Sequence, residues 1–139
     1  MSKRVKVDAE KCTGCRLCEL TCSVEKLGEF NPKLARIQVG FEPEGMCVPV
    51  VCTQCQEEWC VQACPAAAIS RDTVTGVVRI RSAECVLCGE CVPACPYGAM
   101  RWPHEDQPPL KCDECDGEPA CVPVCPAAAL AYAAIDQAN

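Results

Sequence analysis

Sixteen of the seventeen cysteines in this 139-residue chain fall into four tight groups. Cys12, Cys15, Cys18 and Cys22 stand in CTGCRLCELTC, and Cys52, Cys55, Cys60 and Cys64 in CTQCQEEWCVQACP. Cys85, Cys88, Cys91 and Cys95 stand in CVLCGECVPACP, and Cys112, Cys115, Cys121 and Cys125 in CDECDGEPACVPVCP. A thiolate is a nucleophile and a metal ligand. Thiols at this density, with few other reactive side chains among them, suit ligation. The single histidine, His104, lies in the proline-rich RWPHEDQPP and reads as solvated. Glu57, Glu58, Glu105, Asp106, Asp113, Glu114 and Asp116 read as a hydrated face, with no pair placed for acid–base work. No glycine-rich loop suits a nucleotide phosphate, and no residue is assigned a catalytic role.

Three ligand chemistries compete. Disulfide frameworks belong to oxidising compartments. The opening MSKRVKVDAEKC has no apolar signal core, twin-arginine signal or small-residue cleavage site. No run approaches the ~18 apolar residues of a membrane span. The expectation is therefore a cytoplasmic chain with reduced thiols. Zinc sites use two cysteine pairs, often with histidine, around one tetrahedral ion. Here a third cysteine follows the first pair within a few residues, and three groups end in Cys-Pro, at Pro65, Pro96 and Pro126. The third group has the full C-x2-C-x2-C-x3-C-P spacing of two-cluster ferredoxins, whose fourth cysteine ligates the other cluster of the pair, and the second and fourth groups differ only in a longer gap before the third cysteine. The expected cofactors are four [4Fe–4S] clusters. Cys47 is left over and is expected not to be a ligand; it reads as a spare thiol or small buried residue.

The elements that must position these thiolates follow from the spacing. Three cysteines two residues apart lie on a loop that curls around one corner of a cubane, its N–H groups facing the cluster sulfurs. Gly14 and Gly89 sit in such loops, where close backbone approach is useful. The next residues make about one helical turn, and the proline disfavours its continuation. Ser23 stands where the other groups have proline. Between the second and third groups, Ile69–Arg71 and Val77–Ile80 read as strands around a turn ending at Gly76. That is the internal hairpin of a two-cluster module. Val5–Val7 and Leu130–Tyr132 read as outer strands that pair. In the long connector, Asn31-Pro32 signals a turn, Ala35–Phe41 a strand, and EPEG a break.

These readings give an α+β fold of two dicluster ferredoxin-like modules, one nested in the other. The outer module takes residues 1–46 and 110–139, the inner one 47–109. Exchange of fourth cysteines yields four sites. The first cluster takes Cys12, Cys15, Cys18 and Cys125, and the fourth takes Cys112, Cys115, Cys121 and Cys22. The second takes Cys52, Cys55, Cys60 and Cys95, and the third takes Cys85, Cys88, Cys91 and Cys64.

KCTGCRLCELTCS, CVPACPYGAMRW and KCDECDGEPACVPVCP give the chain a resemblance to the four-cluster iron–sulfur subunits of bacterial and archaeal oxidoreductases. That group is typified by the electron-transfer subunit of dimethyl sulfoxide reductase. The resemblance covers nearly the whole chain and implies the same nested pairing. CRLCELTCSVEKLGEFNPKLARIQV is more similar to small cytosolic subunits, above all those of tungsten aldehyde ferredoxin oxidoreductase-type enzymes. The resemblance implies a catalytic partner carrying tungstopterin or molybdopterin. A flavin/NAD subunit or a ferredoxin is the implied second partner. Partners of the hydrogenase, carbon monoxide dehydrogenase or benzoyl-CoA reductase kind are the alternatives. The longer gaps before Cys60 and Cys121 are ordinary in the family.

The expected function is relay of single electrons, not substrate chemistry. A formal charge of −6 excludes the basic stripe that nucleic acid needs. Four clusters would add about −8 more, counting the thiolates that metal binding creates. Trp59, Tyr97 and Trp102 are expected to pack around clusters or a partner. Self-association into a longer chain of clusters is a variant of this reading. The contrasting class is an interaction module in which clusters serve only as staples. Stapling needs one or two clusters; conduction explains four.

Overall fold

The computed structural model describes residues 3–134. Its regular elements are short, because cysteine loops and tight turns interrupt them. β1 (Lys3–Val7) pairs antiparallel with β6 (Leu130–Ala134), with Val5 opposite Tyr132 and Val7 opposite Leu130. β4 (Ile69–Arg71) pairs with β5 (Val78–Ile80), with Ile69 opposite Ile80. The Asp72 carboxylate holds the turn between them by accepting from the N–H groups of Val74 and Thr75. Gly76 closes it at φ +78°. Both strand pairings hold, and each differs from the sequence expectation only at its ends.

The connector differs more. The expected strand over Ala35–Phe41 is shorter, β2 at Gln38–Phe41, because Pro32–Leu34 forms a 3-10 turn and Ala35 follows it. EPEG does not end the pattern. It is the turn of a second hairpin, with the Gly45 N–H donating to Glu42 O and the Glu42 N–H to Met46 O. The returning strand, β3 (Cys47–Val50), went unread in the sequence. Its Pro49 suppressed the strand signal, yet proline is tolerated on an edge strand. This hairpin spans the expected boundary between residues 46 and 47.

Four helices follow the cysteine loops. α1 (Leu17–Leu27) has eleven residues, against five in α2 (Trp59–Ala63) and four each in α3 (Cys91–Ala94) and α4 (Cys121–Val124). Pro93 and Pro123 fall in the first turn of α3 and α4, where N–H groups have no intrahelical partner. α1 packs on α4, and α2 on α3.

Two cores result, and cysteine is part of both. One gathers Val5, Ile37, Val39, Val51 and Leu130 with Cys18, Cys22 and Cys121. The other gathers Ile69, Val78 and Met100 with Cys60 and Cys91. Few large side chains are buried, so the sulfur groups occupy the space that leucine and phenylalanine fill in ordinary domains. Among the described residues, no helix is long and apolar enough to cross a membrane.

Candidate iron–sulfur centres

The cysteine loops share one backbone device. The residue just before the second cysteine of each group is left-handed: Gly14 (φ +76°), Gln54 (+52°), Leu87 (+60°) and Glu114 (+59°). This conformation curls the loop inward. In two loops its amide reaches the first sulfur, Gln54 N–H to Cys52 Sγ and Glu114 N–H to Cys112 Sγ, both at 3.3 Å. Only one of the four positions is glycine, so glycine alone could not reveal the pattern. Gly89 is also left-handed, but a Cβ there would overlap the Trp102 ring. At Gly14 the same test meets Cys47 Sγ at 2.7 Å. The close approach read from these glycines thus serves protein side chains. Trp102 covers the third loop and donates its Nε1–H to Gln107 O at 2.7 Å. Cys47 is half-buried at the start of β3.

The Cys-Pro ends are alike too. After Cys64, Cys95 and Cys125 the third residue donates back to the cysteine carbonyl, at 3.3–3.4 Å, and is left-handed: Ala67, Gly98 and Ala128. The next amide then faces sulfur in two cases, Ala68 N–H to Cys64 Sγ and Ala129 N–H to Cys125 Sγ, both 3.3 Å. Proline presets the turn, and the residue before it leaves the helical region. The first group lacks this end. Its Cys22 sulfur receives an N–H from Arg36, fourteen residues away, at 3.2 Å.

Three cavities bring cysteines together from different groups. Cys52, Cys55 and Cys60 line one with Cys95, flanked by Trp59 and Tyr97. Cys112, Cys115 and Cys121 line another with Cys22. Cys85, Cys88 and Cys91 line the third with Cys64. Their volumes are nearly equal, about 350, 330 and 330 Å³. Cys12, Cys18 and Cys125 meet in the first core, and the charges of Cys12 and Cys15 act on Cys18. A wider groove, about 1350 Å³, runs between β1 and β3, but Cys55 is its one cysteine.

The electrostatics suit strong sulfur ligation. Burial pushes the thiols up, to about 12 for Cys18 and Cys112 and about 11 for Cys91, and Cys121 rises as well. Metal binding must displace these protons, because the thiolate is the ligand. Among the described residues, no three His, Cys, Asp or Glu side chains converge tightly enough for one metal ion. In a cubane each thiolate binds a different iron, so the sulfurs stand further apart than around a zinc ion with bonds of ~2.3 Å. The donor set, its spread and the amides aimed at sulfur fit [4Fe–4S] clusters.

Several charged groups depart from the hydrated face expected of them. Glu114 is 1 % exposed, with Tyr132 OH donating to its Oε2, and desolvation raises its pKa. Asp113 meets Lys26 Nζ at 2.5 Å, Arg36 at 3.5 Å and Arg79 at 3.9 Å. Burial opposes its charge, but the Lys26 bond and neighbouring cations hold its carboxyl below the usual range. Glu58 pairs with Arg71 at 3.1 Å, and Arg71 also donates to the carbonyls of Gln54, Cys55 and Gly76. Glu57, Glu105, Asp106, Asp116 and His104 are exposed, as read. Buried Glu19, Gln54 and Lys111 went unread. Their only sequence signal is adjacency to a cysteine, where surrounding thiols promise burial.

These features define a ferredoxin-type iron–sulfur protein. The chain matches the family model for a 4Fe–4S dicluster domain over residues 43–135, and one for a 4Fe–4S binding domain over residues 9–25. It belongs to the 4Fe–4S dicluster family, and its cofactors are four [4Fe–4S] clusters. It is 43 % identical to the polyferredoxin-like subunit of an aliphatic sulfonate oxidoreductase of Pyrococcus furiosus, over 81 % of this chain and 65 % of that one. It is 39 % identical to the electron transport protein HydN of Escherichia coli K12, over 72 % and 59 %. The chain thus spans about three-fifths of the length of these relatives. A chain in the BamBC active-site complex of benzoyl-coenzyme A reductase superposes with a TM-score of 0.55 at 29 % identity, covering 97 % of this chain and 81 % of that one.

Proposed function

We propose that this chain is a non-catalytic electron-transfer subunit that relays single electrons between a catalytic oxidoreductase subunit and a second redox partner. The reading rests on two nested modules, 1–46 with 110–139 around 47–109. The first cluster is held by Cys12, Cys15, Cys18 and Cys125, and the second by Cys52, Cys55, Cys60 and Cys95. The third is held by Cys85, Cys88, Cys91 and Cys64, and the fourth by Cys112, Cys115, Cys121 and Cys22. Cys47 holds none. The supporting observation is the crossed lining of the three cavities, each with three cysteines of one group and the last of another. The pairings β1 with β6 and β4 with β5 support the nesting.

A [4Fe–4S] cluster supplies one-electron storage with no bond made to substrate. The chain's own residues hold it, shield it and bias it. The amides of Gln54, Glu114, Ala68, Ala129 and Arg36 donate to ligand sulfur and favour the more negative, reduced state.

The catalytic partner proposed is a tungstopterin or molybdopterin enzyme of the aldehyde oxidoreductase type, working in the cytoplasm, with a flavin/NAD subunit or ferredoxin beyond. Likeness to a chain of the benzoyl-coenzyme A reductase complex supports that enzyme as the second reading. The test is anaerobic purification with whatever co-purifies, followed by assays for iron, sulfide, tungsten and molybdenum. About sixteen iron per chain is expected from four cubanes, with one pterin metal per catalytic partner. Zinc in place of iron would overturn the reading. Full iron that never cycles in a redox titration would leave only stapling.

A further inference from the structure

Lys111 is 5 % exposed. Its ammonium donates to three neutral oxygens: Gln54 Oε1 at 2.9 Å, Val78 O at 2.5 Å and Cys112 O at 3.0 Å. Among the described residues, no carboxylate lies within ion-pair distance of it. The buried Glu114 carboxylate feels its charge but makes no ion pair with it, and an ammonium this deep is normally paired directly. Neutral carbonyls satisfy its protons but not its charge.

Its position sets it beside two groups of cysteines. The side chain lines the cavity of Cys52, Cys55, Cys60 and Cys95. Its own backbone leads directly into Cys112, which lines the cavity of Cys115, Cys121 and Cys22. Gln54 fixes the arrangement: its Oε1 also accepts from Val78 N–H, and its Nε2 donates to Cys112 O, both at 2.9 Å. The corresponding lysine before the first group, Lys11, is exposed and pairs at 3.9 Å with Asp8. The device therefore exists at one place only among the four groups, whose preceding residues are Lys11, Val51, Glu84 and Lys111.

We propose that Lys111 is the shared counter-charge of the second and fourth clusters and raises the reduction potentials of those two together, leaving the first and third unaffected. It is a positioning residue and takes no electron itself. When an electron passes between two clusters, one is oxidised as the other is reduced, and the fixed cation stabilises whichever of its two neighbours holds the added charge. The inference rests on the ligand sets proposed above.

The test is a potentiometric titration of the anaerobically purified holo-protein, followed by electron paramagnetic resonance, with iron and sulfide counted first. Lys111→Gln removes the charge and keeps hydrogen-bonding capacity. Gln54→Glu leaves the lysine and sets a carboxylate against Nζ, cancelling its field. Each is expected to keep wild-type iron while two of four potentials move negative and two stay. Full iron with all four potentials unmoved, or all four moved alike, would overturn the proposal. If Lys111→Gln loses iron, Gln54→Glu decides; loss of iron in both would make the lysine structural and also overturn it. A wild-type chain without four clusters would instead defeat the ligand sets themselves.

Discussion

The end of the first cysteine group and the ends of the other three are built from the same start and finish differently. At Cys64, Cys95 and Cys125 the extended backbone ends the helix, and proline and a tight turn with a left-handed residue follow. Cys22 is followed by Ser23, which has an N–H, and α1 runs on to Leu27 before Gly28 stops it at φ +75°. Ser23 is fully buried and ties the extension down, its Oγ donating to Leu20 O at 2.8 Å and accepting from Asn31 N–H at 3.1 Å. The longer helix delivers the chain to the connector, so the β2–β3 hairpin packs on the outer core and Arg36 supplies the amide that Cys22 lacks locally. One residue type thus separates a closed turn from an outgrowth. The same sulfur environment is rebuilt there by a distant segment.

The largest expected effect removes the difference altogether. Stripping iron with acid and chelator should abolish all four helices, α1 included. Even its eleven residues fall below the ~12–15 at which isolated helices become marginal. Far-ultraviolet circular dichroism should show coil, and a surviving α1 would mean that the extension is stable without metal.

Ser23→Pro imposes the common ending on the first group. Proline inside α1 should cost about 3 kcal/mol or more. Clusters should then bleach faster in guanidinium, beginning with the one proposed to use Cys22. Unchanged bleaching would mean that α1 can stop early at no cost. Ser23→Ala keeps the helix but strands the Asn31 amide, with a smaller penalty of about 1 kcal/mol.

The finest test is one substitution at equivalent sites. Ala67 and Ala128 are left-handed, which costs an L-residue roughly 1–2 kcal/mol; Gly98 already occupies the third such position. Ala67→Gly and Ala128→Gly should slow cluster loss, by up to about 1 kcal/mol once the looser unfolded chain is counted. At the matching position of the first group, Glu25 lies within α1 and is exposed. Glu25→Gly should speed cluster loss by about 0.5–1 kcal/mol. Equal signs at all three sites would break the comparison.

Much of this was legible because thiolate spacing is a local property. Three cysteines a few residues apart dictate a loop, and Cys-Pro dictates its end, whatever surrounds them. The β4–β5 hairpin was legible for the same reason, since Asp72 and Gly76 define its turn. β3 was not, because Pro49 suppresses the strand signal and only pairing with β2 makes a strand of it. Asp113 and Glu114 misled because acidic residues in a row look solvated. Their burial comes from Lys26, Arg36, Arg79 and Tyr132, none of which is near in sequence.

The sequence alone thus determined the chemistry: the thiol donors, their grouping, and the turns that hold each group. Tertiary structure decided which groups face one another across a cavity, which backbone amides reach sulfur, and that Lys111 is buried where Lys11 is exposed. Those outcomes depend on long-range packing, through which a side chain's solvation, and so its charge energy, is set by residues far along the chain.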